Sequence, residues 1–152
     1  MEFALLAPLL FALLLGIFTG GAAYFQKINL NGSAREAARF GATVPDSQCT
    51  PTTNCSGLTW AQLVQQQAVA NSAGSLTTAQ ICVALVSGPG TAPVAAGSTM
   101  TTAGGTSPCF VDNSADSGRR VQVSVTRPQT LQFLVFSQNI TLTSRAITRY
   151  EQ

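Results

Sequence analysis

The chain opens with MEFALLAPLLFALLLGIFTGGAAYFQ, residues 1–26, in which Glu2 is the only charged side chain before Lys27. An α-helix rises about 1.5 Å per residue, so about 24 apolar residues span the roughly 30 Å hydrocarbon core of a bilayer. A carboxylate at the tip of such a segment is costly in lipid and marks a functional position by default. Two readings fit the run: a signal anchor with an incidental acid, and a helix whose acid helps subunits assemble.

The flanks separate them. A secretory signal has a basic leading region, a short apolar core and a small-residue cleavage site. Here no Lys or Arg precedes the run, and the first basic residue, Lys27, follows it. With Met1 as the true start, that bias would hold the Lys27 side in the cytoplasm. Four cysteines at 49, 55, 82 and 109 point instead to an oxidising compartment. The expectation that reconciles the two is a mature chain from which a basic leader has been removed, with the apolar run kept as a structural helix.

About 110 residues follow the helix, enough for one small domain. Charged residues make up 9% of the chain and the net charge is +2, with no basic cluster beyond Arg119–Arg120, so nucleic-acid binding has no support. Val, Ile, Leu and Phe are plentiful in the C-terminal third, which speaks against disorder. Four cysteines allow three pairings. The favoured one is Cys49–Cys55, closing the tight CTPTTNC loop, with Cys82–Cys109, tying a strand to the far end of a long loop. Zinc has no support, since the chain has no His and no CxxC pair.

Residues 2 to about 42 read as one helix. Pro8 removes a backbone hydrogen bond in the second turn, a place to kink or loosen it. Gly16 and Gly20 form a small-xxx-small face that permits close helix approach in apolar surroundings. Asn31–Gly32–Ser33 reads as a local break. SAREAARF then resumes good helix formers, with Glu36 and Arg39 spaced to pair, and Gly41 suits the C′ position that ends a helix. Thr59 and Gln62 form a capping box ahead of WAQLVQQQAVA, in which Trp60, Leu63, Val64 and Ala68 share a face and Trp60 is a core anchor. Residues 79–86 read as a buried strand, 87–108 as a long exposed loop, 121–126 as a half-buried strand, 131–136 as a further apolar run after Pro128. Residues 139–150 alternate, placing Ile140, Leu142, Ser144, Ala146, Thr148 and Tyr150 on one face. Short connections between the last strands favour antiparallel order. The expected fold is α+β: an N-terminal helix over residues 1–42, then a disulfide-stapled domain over 43–152 with a short helix and a sheet of three or four antiparallel strands.

MEFALLAPLLFALLLGIF followed by SAREAARFGA resembles the TadE-like pilins and pseudopilins of tight-adherence pili, within the type IV filament superfamily. The acid-Phe-Ala start, the Pro in an apolar helix and the AREAARFGA helix end carry the resemblance, and ITLTSRAITRYE resembles the family's last strand. The resemblance implies a type IV pilin-like fold, a leader cut by a prepilin peptidase, a stay in the inner membrane, and extraction by an ATPase-driven machine. It also implies an extracellular filament built on the N-terminal helices, with Glu2 pairing with the Met1 amine of a neighbouring copy. Glu2 lies closer to the start than the acid of many superfamily members. The expected partners are therefore further copies of the chain, the assembly machinery, the peptidase and, before assembly, the membrane.

Catalytic chemistry finds no foothold. Without His there is no His-dependent triad, and the acids Glu36, Asp46, Asp112, Asp116 and Glu151 form no compact pair. Asn113–Gly118 lacks the ligand spacing of an EF-hand and reads as a turn. No cofactor is expected, because no glycine motif for phosphate occurs. Asn31, Asn54 and Asn139 match the N-glycosylation pattern, and the Ser/Thr-rich loop 87–108 offers hydroxyls for O-glycans. The leading reading is a filament-forming pilin for surface adhesion. Its rivals are a minor pseudopilin that primes or tips another subunit's filament, and a monomeric membrane-anchored binding domain.

Overall fold

The computed structural model describes residues 2–45, 58–87, 109–111, 118–132 and 137–151. Helix α1 spans Glu2–Thr43, α2 spans Trp60–Asn71, and a 3-10 turn at Thr78–Gln80 leads into strand β1, Ile81–Ser87. Strands β2, Arg119–Gln132, and β3, Ser137–Arg149, complete a three-stranded sheet in the order β1-β2-β3. Both pairings are antiparallel, and for β2 and β3 the short connection requires it. The α+β architecture is the one expected from the sequence.

Helix α1 is continuous over 42 residues, about 63 Å at the helical rise. It runs through Pro8 and also through Asn31–Gly32–Ser33, where a break was expected. The polar groups there are satisfied without leaving the helix. Ser33 Oγ donates to the Leu30 carbonyl at 3.0 Å, and Asn31 Oδ1 accepts from Ser144 Oγ at 2.6 Å. Glu36 and Arg39 are both exposed and do not form the expected ion pair among the described residues.

Gly41 is a second correction. It does not end the helix as a C′ residue, since α1 continues to Thr43. A Cβ there would lie 3.0 Å from Val64 Cγ2, 3.1 Å from Val121 Cγ1 and 3.2 Å from Trp60 Cζ2. The glycine is required for close approach of α1 to α2 and the sheet. Ala34, Ala37, Ala38 and Ala42, all buried, extend that small-residue stripe along α1.

The capping box forms as expected. Thr59 N donates to Gln62 Oε1 at 2.9 Å, and Gln62 N donates to Thr59 Oγ1 at 3.3 Å. Trp60 is buried and its Nε1 donates to the Gly41 and Val44 carbonyls at 3.2 and 3.1 Å. That satisfies both the indole and the orphan carbonyls at the end of α1. Gln65, also buried, ties α2 to β1 through Nε2 donating to the Ile81 carbonyl at 2.7 Å.

Strand alternation sorts the sheet into two faces. Ile81, Val83, Val121, Val123 and Val125 point to the helices and are fully buried. Cys82, Ala84 and Val86 point the other way, under Cys109 and Phe110. Strand β3 alternates as its sequence indicates, with Ser144, Ala146 and Tyr150 inward and Arg145, Ile147 and Arg149 outward. Strand β2 was expected over residues 121–126 but spans Arg119–Gln132. Strand β1 stops at Ile81, opposite Val125, so Pro128 pairs only with β3 and its missing N–H falls where a neighbouring strand is absent. The rest of the run expected at 131–136 lies outside the described residues, as do the loop residues 88–108.

Candidate functional site

The domain claims only the second half of α1. Leu30 is 1% exposed, and from there the helix packs on α2 and the sheet. Ahead of it the large side chains stand clear: Leu6 is 63% exposed, Ile17 70% and Phe18 76%. Leu9, Leu10, Phe11, Leu13, Tyr24 and Phe25 are exposed too, so no one side of this segment is reserved for the domain. By length and composition this is a helix able to cross a membrane, and it lies near the N-terminus. A helix apolar on all sides belongs in lipid or in the interior of an assembly.

The glycines of the segment sharpen the point. A Cβ placed on Gly16, Gly20 or Gly21 would meet nothing within 4 Å. Gly in a helix interior is about 1 kcal/mol less favourable than Ala. Nothing within the described residues offsets that cost, in contrast to Gly41. Thr19, the polar side chain in this stretch, turns its hydroxyl back onto the helix, donating to the Leu15 carbonyl at 2.9 Å and the Gly16 carbonyl at 3.2 Å. That arrangement keeps the Thr19 hydroxyl bonded within its own helix.

At the domain end of the segment, Lys27 Nζ donates to the Thr143 carbonyl and fastens β3 to the helix. Tyr150 Oη donates to the Val44 carbonyl at 3.2 Å and fastens the other end. The docked half of α1 is thereby held along β3.

The residues singled out from the sequence fall in separate places. Glu2 opens α1, with Pro8, Gly16 and Gly20 further along the protruding segment, while Met1 lies outside the described residues. Cys82 and Cys109 are bonded, with Cα atoms 5.8 Å apart, and the bond pins the chain after the long loop to the back of β1. Gln122, fully buried in β2, holds the same segment: its Oε1 accepts from Cys109 N at 3.0 Å and its Nε2 donates to the Phe110 carbonyl at 3.3 Å. Arg145 lies over the Phe110 ring, 5.2 Å from its centroid. Cys49, Cys55 and Asn54 lie outside the described residues. Asn31 is half-buried in α1, and Asn139 is exposed on β3 with its Oδ1 accepting from Thr130 Oγ1 at 2.7 Å. Among the described residues no three His, Cys, Asp or Glu side chains gather as a metal site would require. Gln122 went unnoticed in the sequence because a Gln in an alternating strand carries no signal of burial.

Residues 1–39 match the model of a family described as TadE-like protein. The match covers α1 almost to its end and none of α2 or the sheet. No curated protein and no solved structure matches the chain significantly. The matched helix, apolar and near the N-terminus, is consistent with a TadE-like protein associated with a Tad pilus, and that family is structural in character.

Proposed function

We propose that this chain, similar through its N-terminal helix to TadE-like proteins, is a pilin that polymerises through that helix into an extracellular Tad-type filament for surface adhesion. Before assembly it waits in the inner membrane. The observation that carries the reading is the exposed apolar segment of α1, residues 6–28, attached without a break to a disulfide-stapled domain. In lipid that segment is satisfied as a monomer. In a filament the helices of neighbouring copies replace the lipid, and Gly16 and Gly20 leave room for close contact. Pro8 frees one backbone carbonyl in the first turns, which a neighbouring helix or a local adjustment satisfies.

Glu2 gives the array its axial register. A carboxylate in an apolar core is expensive unless paired, so subunits settle where it meets the Met1 amine of a neighbour. A repeated contact that does not close into a ring yields an open helical filament. The partners are further copies of the chain, together with the membrane machinery that cleaves and extracts it.

Electron microscopy of sheared surface material, with mass spectrometry of the mature N-terminus, tests the reading. Filaments built mainly of this chain are expected. Glu2→Ala and Gly20→Leu are expected to abolish them while the Cys82–Cys109 bond still forms. Abundant normal filaments from both variants refute the assembly role. Detection only in the inner membrane, uncleaved, returns the chain to a monomeric anchored domain. A few copies in a filament of another subunit make it a minor pseudopilin.

A further inference from the structure

The helix-facing row of β2 changes character where β1 stops. Val121, Val123 and Val125 are fully buried on that face, and the next residue on it is Arg127. Beyond Val125, β2 is paired with β3 alone, so residues 126–132 and 137–143 form a two-stranded arm. The arm heads toward the N-terminal end of α1. Tyr150 meets Val44, Ser144 meets Asn31 and Thr143 meets Lys27, so each step back along β3 moves back along the helix.

Arg127, paired with Leu142, lines a groove of about 310 Å³ together with Ala22, Phe25, Gln26, Asn29 and Ser75. This is the level at which the apolar segment ends: Tyr24 and Phe25 are exposed aromatics, and Lys27 is the first cation of the helix. Exposed aromatics and the first cation after an apolar span mark the headgroup region of a bilayer. One group in the groove lacks a partner. Among the described residues the Arg127 guanidinium makes no hydrogen bond or ion pair.

We propose that this groove holds the phosphate of a phospholipid headgroup while the chain is anchored in the membrane, with Arg127 as its partner. The inference rests on the membrane-anchored state of the reading above. The guanidinium fork matches phosphate bidentately, whereas a lysine at the same place would act only as a point charge. Lys27 is engaged on the Thr143 carbonyl, which leaves Arg127 as the cation turned to the groove.

The test uses the full chain in phosphatidylcholine vesicles. Flotation reads anchoring. Dipolar recoupling between 13C-labelled arginine and lipid 31P reads the contact. A strong arginine–phosphorus signal is expected, with loss on Arg127→Gln. Formation of the Cys82–Cys109 bond checks that each variant is folded. A floating chain whose signal survives Arg127→Gln overturns the site alone. Equal signal from inorganic phosphate in nonionic detergent overturns the assignment to lipid. A chain that does not float overturns the anchored reading and the site with it.

Discussion

Replacing Gly41 by alanine tests how α1 is held against the domain. The added methyl would sit 3.0, 3.1 and 3.2 Å from carbons of Val64, Val121 and Trp60, where about 3.5–4.0 Å is comfortable. Overpacking of this kind costs about 1–3 kcal/mol, while alanine gains up to about 1 kcal/mol over glycine in a helix. Gly32→Ala is the control, because a methyl there meets nothing within 4 Å and collects the helical gain alone. The difference between the two variants therefore isolates the contact, with Gly41→Ala the less stable by about 1–3 kcal/mol. For a domain of this size that is about 4–8 °C in Tm per kcal/mol. Denaturant unfolding of the full chain in detergent, followed by fluorescence of the single Trp60, measures it. Trimming Val64 to alanine removes the nearest of the three contacts, so Gly41→Ala is expected to cost less in that background. Equal stability of Gly41→Ala and Gly32→Ala, or strict additivity with Val64→Ala, would refute the close-approach argument.

Two further predictions concern the back of the sheet. The Cys82–Cys109 bond closes a separation of 27 residues, worth about 3.6 kcal/mol in the chain-entropy model, so Cys82→Ala with Cys109→Ala is expected to lower the unfolding free energy by about that amount. Denaturant midpoints measured with and without reductant should then differ for the parent chain and coincide at this bond for the variant. Gln122→Leu strips the Cys109 amide and the Phe110 carbonyl of their buried partners, a loss of about 2 kcal/mol or more. The same substitution in the cysteine-free background is expected to cost less, since the segment it holds is already released; an unchanged cost there argues against a shared clamp.

Local chemistry was the readable part of this chain. The capping box at Thr59 and Gln62, the alternation of β3 and the length of α1 all follow from neighbouring residues, and each appears as its sequence indicates. The misread positions are those where a distant contact decides. Asn31 and Ser33 look like a break until Ser144 and the Leu30 carbonyl satisfy them. Gly41 looks like a terminator because a glycine near a helix end commonly is one, yet its role is set by Val64, Val121 and Trp60. Pro128 looks like a divider between the strand at 121–126 and the run at 131–136, and only the stopping point of β1 reveals that β2 can pass through it. Arg127 carried no signal at all: it becomes noticeable as the residue that follows three valines on the helix-facing row.

The two halves of α1 obey different rules, and the helix passes from one to the other within about a turn. From Leu30 onward it buries Ser33, Ala34, Ala37, Ala38 and Ala42 and turns Arg35, Glu36 and Arg39 to water, as a helix of a soluble domain does. From Leu6 to Phe25 the large side chains stand exposed and mostly apolar, a surface with no place in water. No linker separates these regimes, because α1 is helical throughout and its docked half is fixed by the Lys27–Thr143 and Tyr150–Val44 bonds. The orientation of the domain is therefore set by the orientation of the apolar segment. In any array where those segments pack side by side, their register fixes the register of the domains, with β3 and the β2–β3 arm at a constant azimuth. A flexible joint at Gly32 would have uncoupled the two, and the bond from Ser144 to Asn31, one residue away, is what keeps that joint closed.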